Sequence, residues 1–451
     1  AGVLFFIVLQ LLGKVMAGSR PDVELLTMQP GLSLAFKVEP LGMLFATIAS
    51  GLWIVNSIYS IGYMRGNNEP RQTPFYVCFA LAIFSAIGIA FAGNLLTLFL
   101  FYEVLTLSTY PLVTHKADDK ARTGGRIYLL ILLGTSMVLL LPAIIWTHVL
   151  AGTTEFRAGG ILDGKVSGGM VGVLLGLFVF GIGKAALMPF HRWLPNAMVA
   201  PTPVSALLHA VAVVKAGVFS VMKIVVYIFG VDFLATSGQN EWLIYVAGFT
   251  IIAASLVAMT KDNLKARLAY STIGQLAYVV LGALLANSMG VLGGSMHIAM
   301  HAVGKITLFF CAGAIYTAAH KTEISDLTGL GRAMPFTFGA FAIGAMSIIG
   351  LPPFGGLWGK WYLVLGSLDA QQLLMVAVLL VSSVLNVMYL LPIPFRAFFG
   401  KPPADGSGDT LNEAPLACLI AIGITSLACL VLFFFPGPVH TLISLIPLQA
   451  G

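Results

Sequence analysis

Charged residues are scarce in this sequence. Only 9% of its 451 residues are Asp, Glu, Lys or Arg, whereas 58% are hydrophobic. A soluble domain has about 25% charged residues, so the composition excludes a soluble globular protein of this length. Apolar runs of about 20 residues, the length that crosses a bilayer as a helix, recur along the whole chain. Runs this long also exclude a membrane β-barrel, whose strands alternate over about 10 residues.

Motifs for cofactor, metal or covalent chemistry are missing as well. The segments GIGKA and VGKIT resemble a phosphate-binding loop only faintly, because neither has the spacing G-x-x-x-x-G-K-[ST]. The sequence shows no Ser-His-Asp set, haem attachment motif or paired carboxylates. The four cysteines lie in apolar runs without metal-ligand spacing: Cys78, Cys311, Cys418 and Cys429. We therefore expect no catalytic residue, cofactor or metal in this chain, and its membership of an enzyme complex stays open.

The apolar runs predict an all-α polytopic membrane protein with thirteen spans in a single transmembrane domain, 1–451. The spans are placed at 2–17, 35–63, 75–92, 95–113, 126–150, 168–188, 203–230, 241–259, 267–287, 291–317, 334–368, 371–395 and 414–436. The run at 334–368 is long because GLPPFGG (350–356) interrupts it. The chain begins with Ala rather than Met, which leaves open whether an earlier, fourteenth span is missing.

Basic residues in the connections between spans indicate the orientation. The even-numbered connections hold fourteen: Arg65, Arg71, Lys116, Lys120, Arg122, Arg126, Arg192, Lys261, Lys265, Arg267, Lys321, Arg332, Arg396 and Lys401. The odd-numbered connections hold at most five: Lys14, Arg20, Lys37, Arg157 and Lys165. The positive-inside rule therefore places the even-numbered connections in the cytoplasm. Because topology explains these scattered residues, the net charge of +6 does not indicate nucleic-acid binding.

Five charged residues lie inside the spans: Glu103, Lys184, Lys215, Lys305 and Lys360. One charge near the bilayer centre costs about 2.5–3.5 kcal/mol, so these residues must face the protein interior, pair or lose their charge. Only Glu103 is acidic, and burial disfavours a charged ammonium group. Lysines held between their charged and neutral forms are typical of a proton relay, whereas a metal-cation channel would favour carbonyls or carboxylates. Lys184 lies near one end of its span and could instead snorkel to the surface.

Histidines extend this row of titratable groups. His297, His301 and Lys305 have the spacing i, i+4, i+8, which places them on one helix face. His209 lies six residues before Lys215 and is less well aligned. Lys223 lies nearer the outer end of the seventh span, where snorkelling explains it better than function does.

Prolines predict that two helices are broken. The sixth span runs into LMPFHRWLPNAMVAPTPVS, and the eleventh is interrupted at Pro352 and Pro353. Non-helical backbone at membrane depth is tolerated only where it is buried in protein or lines a cavity. The two breaks are five spans apart, and an odd separation gives the two copies opposite orientations. The pattern predicts two inverted five-helix repeats, 75–230 and 241–399. Lys184 precedes its break whereas Lys360 follows its own, which fits this symmetry less well.

The segment GKAALMPFHRWLPNAMVAPTPVSALLHAVAVVKAGVF (183–219) resembles the signature of the antiporter-like membrane subunits. These are found in respiratory complex I, in membrane-bound hydrogenases and in multisubunit Mrp-type Na+/H+ antiporters. The resemblance extends from about Pro40 to Arg396 and implies fourteen helices with two inverted repeats. It implies an ion pair of Glu103 with Lys184, a connecting lysine at Lys215 with His209 nearby, a second-repeat site at Lys305 and His301, and a terminal site at Lys360.

The resemblance also implies a function and a set of partners. We expect a proton-translocating subunit of a Na+/H+ antiporter in a bacterial inner membrane, working with other membrane subunits and with protons, and Na+ as the second candidate ion. The D-type antiporter subunit is favoured because longer relatives add a lateral helix or domains, and because one complex I paralogue has glutamate at the position of Lys360. A subunit of a complex I-like or hydrogenase-like redox complex, and a proton-coupled partner of an uptake system, stay open as alternatives.

Overall fold

The computed structural model describes residues 1–29, 32–401 and 410–448, and it has a helix at each predicted span. In chain order the helices are α1 Gly2–Met16, α2 Pro40–Gly66, α3 Gln72–Ala90, α4 Leu95–Val113, α5 Asp119–Ala151, α6 Gly169–Gly181, α7 Thr202–Phe229, α8 Glu241–Thr260, α9 Leu264–Leu284, α10 Ser288–Ala319, α11 Pro335–Ile349, α12 Gly356–Asp369, α13 Leu373–Phe399 and α14 Leu416–Phe434. Within the described ranges, nine helical stretches are both long and apolar enough to cross a membrane. The predicted polytopic helical fold is confirmed.

Short polar side chains begin four of these helices at the ends of apolar runs. Asn94, Asp118, Asn263 and Asn287 stand directly before α4, α5, α9 and α10. Each side-chain oxygen accepts a hydrogen bond of 2.7–3.1 Å from the backbone N–H three residues further on. The bond satisfies a donor that the first helical turn leaves free, so these residues fix where the helices start.

A β-hairpin between α1 and α2 corrects the predicted start of the second span. The strands β1 Asp22–Gln29 and β2 Leu32–Lys37 pair antiparallel, where a helix was expected from residue 35. Helix α2 begins only at Pro40, because proline suits the first helical position and holds Glu39 before it in an extended conformation, with φ −121° and ψ 159°. A bridge between Phe36 and Ala92 joins the hairpin to the connection after α3.

The two proline-containing breaks are present, and the first begins earlier than predicted. Helix α6 ends at Gly181 rather than near residue 188, and a single 3₁₀ turn, Gly183–Ala185, follows it. A side chain at Gly181 would lie 2.5 Å from the backbone nitrogen of Leu140 in α5, so close packing favours glycine where the helix stops. The second break separates α11 from α12 at residues 350–355. Lys184 therefore lies within the first break.

The connections between helices form two separate groups, one at each end of the bundle. At one end Asn94 pairs with Glu155, and this contact joins the third and fifth connections. At the same end Asn240 bonds to the carbonyl of Leu284, which joins the seventh connection to the ninth. At the other end Arg71 bonds to the carbonyl of His115. There, too, Lys265 bonds to the carbonyl of Ala200 and Asn263 pairs with Glu323. Odd connections contact odd ones and even connections contact even ones, which agrees with the predicted number of spans.

Helices α7 and α10 form the centre of the molecule. The apolar windows of both are completely buried, and α10 contacts α2, α9, α11, α12 and α14. The outer helices instead expose large apolar side chains, including Leu130 at 77% and Leu380 at 59%. An apolar outer surface suits a lipid environment, and the two buried helices carry most of the polar residues predicted to act.

Candidate functional site

The amine of Lys184 is held against helix α4. The Lys184 side chain is completely buried, and its Nζ donates to the carbonyl oxygen of Tyr102 at 2.8 Å and to the Thr106 hydroxyl at 2.6 Å. The same Nζ lies 3.1 Å from the centre of the Tyr102 ring, where the ring quadrupole attracts a cation. The Tyr102 hydroxyl accepts a bond from the backbone N–H of Lys184 at 3.1 Å. The interpretation of Lys184 as a snorkelling residue is wrong.

Glu103 is on the same helix and lies between Tyr102 and Thr106 in the sequence. Among the described residues, no ion pair within 4.0 Å joins Glu103 to Lys184. Both carboxylate oxygens are buried and accept no hydrogen bond from the described part of the chain. In this arrangement the Lys184 amine is satisfied by Tyr102 and Thr106, so the direct ion pair of Glu103 with Lys184 stays a prediction.

Lys215 and His301 contact each other where α7 meets α10. Lys215 Nζ and His301 Nδ1 are in hydrogen-bonding contact, and both residues are buried. The rings of His301 and His297 stack with their centroids 5.8 Å apart. His297 Nε2 lies 3.0 Å from the side-chain oxygen of Gln275 in α9. The predicted face of α10 therefore carries a row of adjacent polar groups at the centre of the protein, although no hydrogen bond joins His301 to His297 among the described residues.

The turn at Lys184 packs directly against the helix that carries Lys215. A side chain at Gly217 would lie 2.3 Å from the backbone carbon of Lys184 and 2.3 Å from the backbone nitrogen of Ala185. Glycine is required here because the two backbones touch. Gly217 is two residues after Lys215. The turn that carries Lys184 therefore contacts helix α7 close to Lys215.

Lys305 binds a serine hydroxyl where α9, α10 and α13 meet. Its Nζ donates to the Ser271 hydroxyl at 2.8 Å and lies 3.4 Å from the carbonyl oxygen of Leu268. The Tyr389 hydroxyl lies 2.9 Å from the Ser271 hydroxyl, which can donate to it, and donates its own proton to the side-chain oxygen of Asn386. The line from Lys305 thus ends in neutral hydrogen-bonding groups and has no carboxylate in it.

Lys360 binds the end of the broken helix. Its Nζ donates to the carbonyl oxygen of Ile349, the last residue of α11, at 2.9 Å and to the Ser383 hydroxyl at 3.2 Å. A helix end leaves such carbonyls without a partner, so Lys360 compensates the break. The same amine lies 5.1 Å from the Tyr278 ring, which stacks on His297 at 5.3 Å. Lys360 therefore adjoins the line from Lys215.

His209 lies in the π-helical turn Leu207–Val211 of α7, and its ring packs on Phe309 at 4.6 Å. Both ring nitrogens are buried and have no hydrogen-bond partner in the described residues. No direct bond joins His209 to Lys215 in that part of the chain, in keeping with their poor alignment. Of the eight predicted residues, the structure brings Lys215, His301 and His297 together and places the others around them.

Several polar residues of this site were not predicted from the sequence. The residues missed are those that contact the predicted lysines and histidines: Thr106, Ser271, Tyr278 and Gln275. Single uncharged polar residues in an apolar span give no distinctive pattern. Lys223 was interpreted as snorkelling, which is wrong, because its side chain is completely buried and pairs with Glu39 at 3.4 Å.

Within residues 1–29, 32–401 and 410–448, no three His, Cys, Asp or Glu side chains come together as a metal site.

Broken membrane helices around a buried row of lysines and histidines are typical of polytopic membrane proteins that translocate ions. Residues 92–386 match the family described as "NADH:quinone oxidoreductase/Mrp antiporter, TM", and the chain belongs to that family. The resemblance found in the sequence is therefore confirmed.

Relatives come from both branches of the family. The chain is 29% identical over 419 residues to NADH-quinone oxidoreductase subunit N of Desulforudis audaxviator. The aligned region covers 90% of this chain and 83% of the relative. It is 29% identical over 442 residues to the A-type Na(+)/H(+) antiporter subunit of Alkalihalophilus pseudofirmus, covering 90% of this chain and 53% of the relative. The chain thus spans about half the length of that antiporter subunit.

Two solved assemblies share the fold. A chain of the Mrp complex from Dietzia sp. DQ12-45-1b superposes with a TM-score of 0.87 at 23% identity, covering 99% of this chain and 91% of that chain. A chain of the membrane-bound sulfane sulfur reductase, an archaeal respiratory membrane complex, gives a TM-score of 0.85 at 24% identity, with coverage of 98% and 89%. Both similarities concern the fold.

Proposed function

We propose that this chain is a proton-translocating subunit of a multisubunit monovalent cation/proton antiporter in a bacterial inner membrane. The observation that carries the proposal is the contact of Lys215 with His301 between the two central, buried helices. A lysine and a histidine in contact can pass one proton between them, and burial discourages both from being charged together. Family membership and the Na(+)/H(+) antiporter relatives support the same function.

The proposed architecture consists of two inverted repeats, 75–230 and 241–399. Each contains a broken helix with a lysine at the break. Lys184 lies on the turn after α6, and Lys360 binds the free carbonyl at the end of α11. Inverted repeats with broken helices near the midplane are a common plan among transporters, and they would give the proton one half-path from each side.

The proposed relay runs through Lys184, Lys215, Lys305 and Lys360, with histidines and water between them. The ammonium of Lys215 gives its proton to His301 Nδ1, which leaves a neutral amine. The imidazolium of His301 then releases a proton from Nε2, and water between the stacked rings would carry it to His297. Lys360 is next to that path across the Tyr278 ring. Movement of Lys184 between its bonds on α4 and the carboxylate of Glu103 would set whether its amine holds the proton.

A transport assay on the assembled complex tests the proposal. In membrane vesicles with a pH-sensitive dye, Lys215→Met should lower cation-dependent proton transport by roughly 100-fold, as removal of a positioned proton-transfer group does. The control is Lys165→Met, which removes an exposed lysine in the connection after α5. Transport at the control level by a well-assembled Lys215→Met complex would contradict the proposed function.

A redox complex is the second candidate function. The chain covers 83% of NADH-quinone oxidoreductase subunit N but 53% of the A-type antiporter subunit, and the sulfane sulfur reductase shares the fold. Purification of the tagged chain from its native membrane decides between the candidates by its partners. Small antiporter subunits support the first function, iron–sulfur or flavin subunits support the second, and a soluble zinc protein indicates the uptake alternative. The D-type assignment stays a prediction.

A further inference from the structure

A second buried acid–base pair lies at the hairpin end of α7. Lys223 Nζ lies 3.4 Å from one carboxylate oxygen of Glu39, and Lys37 Nζ lies 3.4 Å from the other. Lys223 also donates to the carbonyl oxygen of Ala92 at 2.7 Å and lies 4.5 Å from the centre of the Phe156 ring. Three separate connections therefore converge on one lysine.

These three charged side chains become steadily more buried along one line. The exposed fraction is 40% for Lys37, 6% for Glu39 and 0% for Lys223. The carboxylate thus stands between a lysine that reaches solvent and a lysine that does not. This end of the bundle carries the odd-numbered connections, which the charge distribution places outside the cell.

The line continues inward along α7. Lys223 and Lys215 are eight residues apart on this helix, a rise of about 12 Å. Ser220 lies between them and is completely buried. One turn beyond Lys223, the buried Tyr227 hydroxyl has no hydrogen-bond partner in the described residues. The Ser220 hydroxyl donates to the carbonyl oxygen of Ala216 at 2.7 Å and can still accept a hydrogen bond. Hydroxyl groups therefore lie about one turn before and one turn after Lys223 along α7.

A structural explanation of the pair is weaker than a functional one. A buried ion pair is seldom needed for stability, because well-packed apolar residues of similar volume often serve as well or better. Lys223 could also not reach solvent by extending its side chain, since the hairpin and the connection at Phe156 cover it. Among the described residues, Glu39 is the charged side chain that stands between Lys223 and the partly exposed Lys37.

We propose that Glu39 and Lys223 form the outer terminus of the proton relay, an inference that rests on the proposed function. The ammonium of Lys223 gives its proton to the Glu39 carboxylate, which leaves a neutral amine and a carboxylic acid. The acid releases the proton to water beside Lys37. The amine takes the next proton from the Lys215 side, through Ser220 and water. Flow in the opposite direction uses the same steps reversed.

Substitution by arginine separates pairing from proton transfer. Lys223→Arg keeps the positive charge and can still pair with Glu39, but a guanidinium does not release its proton. Glu39→Gln keeps the size of the side chain and removes the proton acceptor. Each should lower proton transport by the assembled complex in vesicles by roughly 100-fold. The control is Glu155→Gln, which removes the exposed pair with Arg157 at the same end.

The outcomes decide the inference as follows. Loss of transport in Lys223→Arg, with a wild-type level of assembled complex, supports it, whereas transport at the control level overturns it. If Lys223→Arg does not assemble, Glu39→Gln decides by the same criterion. Lys215→Met in the same vesicles separates this inference from the proposed function. A blocked Lys215→Met beside an active Lys223→Arg refutes the outer terminus alone, and an active Lys215→Met refutes the proposed function.

Discussion

At the scale of single residues, the binding of Lys184 depends on one hydroxyl group. Thr106 accepts a 2.6 Å bond from the amine, and Thr106→Val removes that acceptor at nearly constant volume. A hydrogen bond to a charged group contributes about 1.5–3 kcal/mol, so the variant should unfold at lower temperature and transport protons more slowly. Thr106→Ser keeps the hydroxyl and is the matched control. Equal melting temperatures and transport rates for the two variants would show that the bond has no role.

The relation between Glu103 and Lys184 is tested by a double mutant. If both residues act in one relay, Glu103→Gln and Lys184→Ala should each stop transport, and the double mutant should be no worse than either single one. Removing one partner of a buried pair can cost roughly 3–5 kcal/mol, so the amount of assembled complex is measured first. Near-normal transport by well-assembled Lys184→Ala would leave Lys184 with a structural role only.

The sequence identified the charged residues of the site better than their partners. A lysine within an apolar span is costly enough to be conspicuous, which is why Lys184 and Lys215 could be singled out. Thr106 and Ser271 are ordinary in membrane helices, and only their distances of 2.6 Å and 2.8 Å from an amine reveal a role. Lys223 was misinterpreted because its partner, Glu39, lies on a segment far away in sequence.

At the scale of elements, the apolar runs determined the helices but not the details at their ends. Predicted spans agree within a few residues except at the start of α5, which begins at Asp119 rather than at residue 126, and at two other helix ends. The predicted second span included residues 35–37 of strand β2, and Pro40 moves the start of α2 beyond the hairpin. Helix α6 stops at Gly181, where α5 packs too closely for a side chain. Both exceptions depend on contacts that a single segment does not contain.

The contact between the Lys184 turn and α7 predicts a strong effect at one glycine. Gly217→Ala would place a carbon 2.3 Å from backbone atoms of Lys184 and Ala185, and backbone cannot move aside cheaply. Overpacking of this kind costs about 1–3 kcal/mol, so the variant should lower thermal stability and separate the two lysines. Gly134→Ala in α5 meets nothing within 4 Å and is the control. The idea fails if both alanine variants melt and transport like the wild type.

At the scale of the whole molecule, orientation follows from the two groups of connections. The end that contains the even-numbered connections carries most of the basic residues and should face the cytoplasm. In intact cells, a membrane-impermeant maleimide should label Asp163→Cys in the connection after α5. It should not label Asp119→Cys, whose position is fully exposed at the other end. Labelling of Asp119→Cys alone would reverse the topology, and the wild-type chain gives the background from its own cysteines.

The charge inventory of the whole molecule predicts that the chain does not transport alone. Its buried relay consists of lysines and histidines bound to neutral groups, with Glu103 and Glu39 beside it. Such a row exchanges protons, and the proposed movement of Lys184 toward Glu103 gives it two arrangements. Coupling requires in addition that a second ion or a redox reaction favours one of these arrangements over the other. Neighbouring membrane subunits are the natural source of that coupling.

The purified chain alone in proteoliposomes should therefore show no Na+-dependent proton exchange, while the complex from the same membranes should show it at the same protein density. Liposomes of the same lipid without protein are the reference for zero transport. Exchange by the isolated chain well above that reference would mean that the cation site and its coupling lie within these 451 residues, and the chain would then be an antiporter in itself.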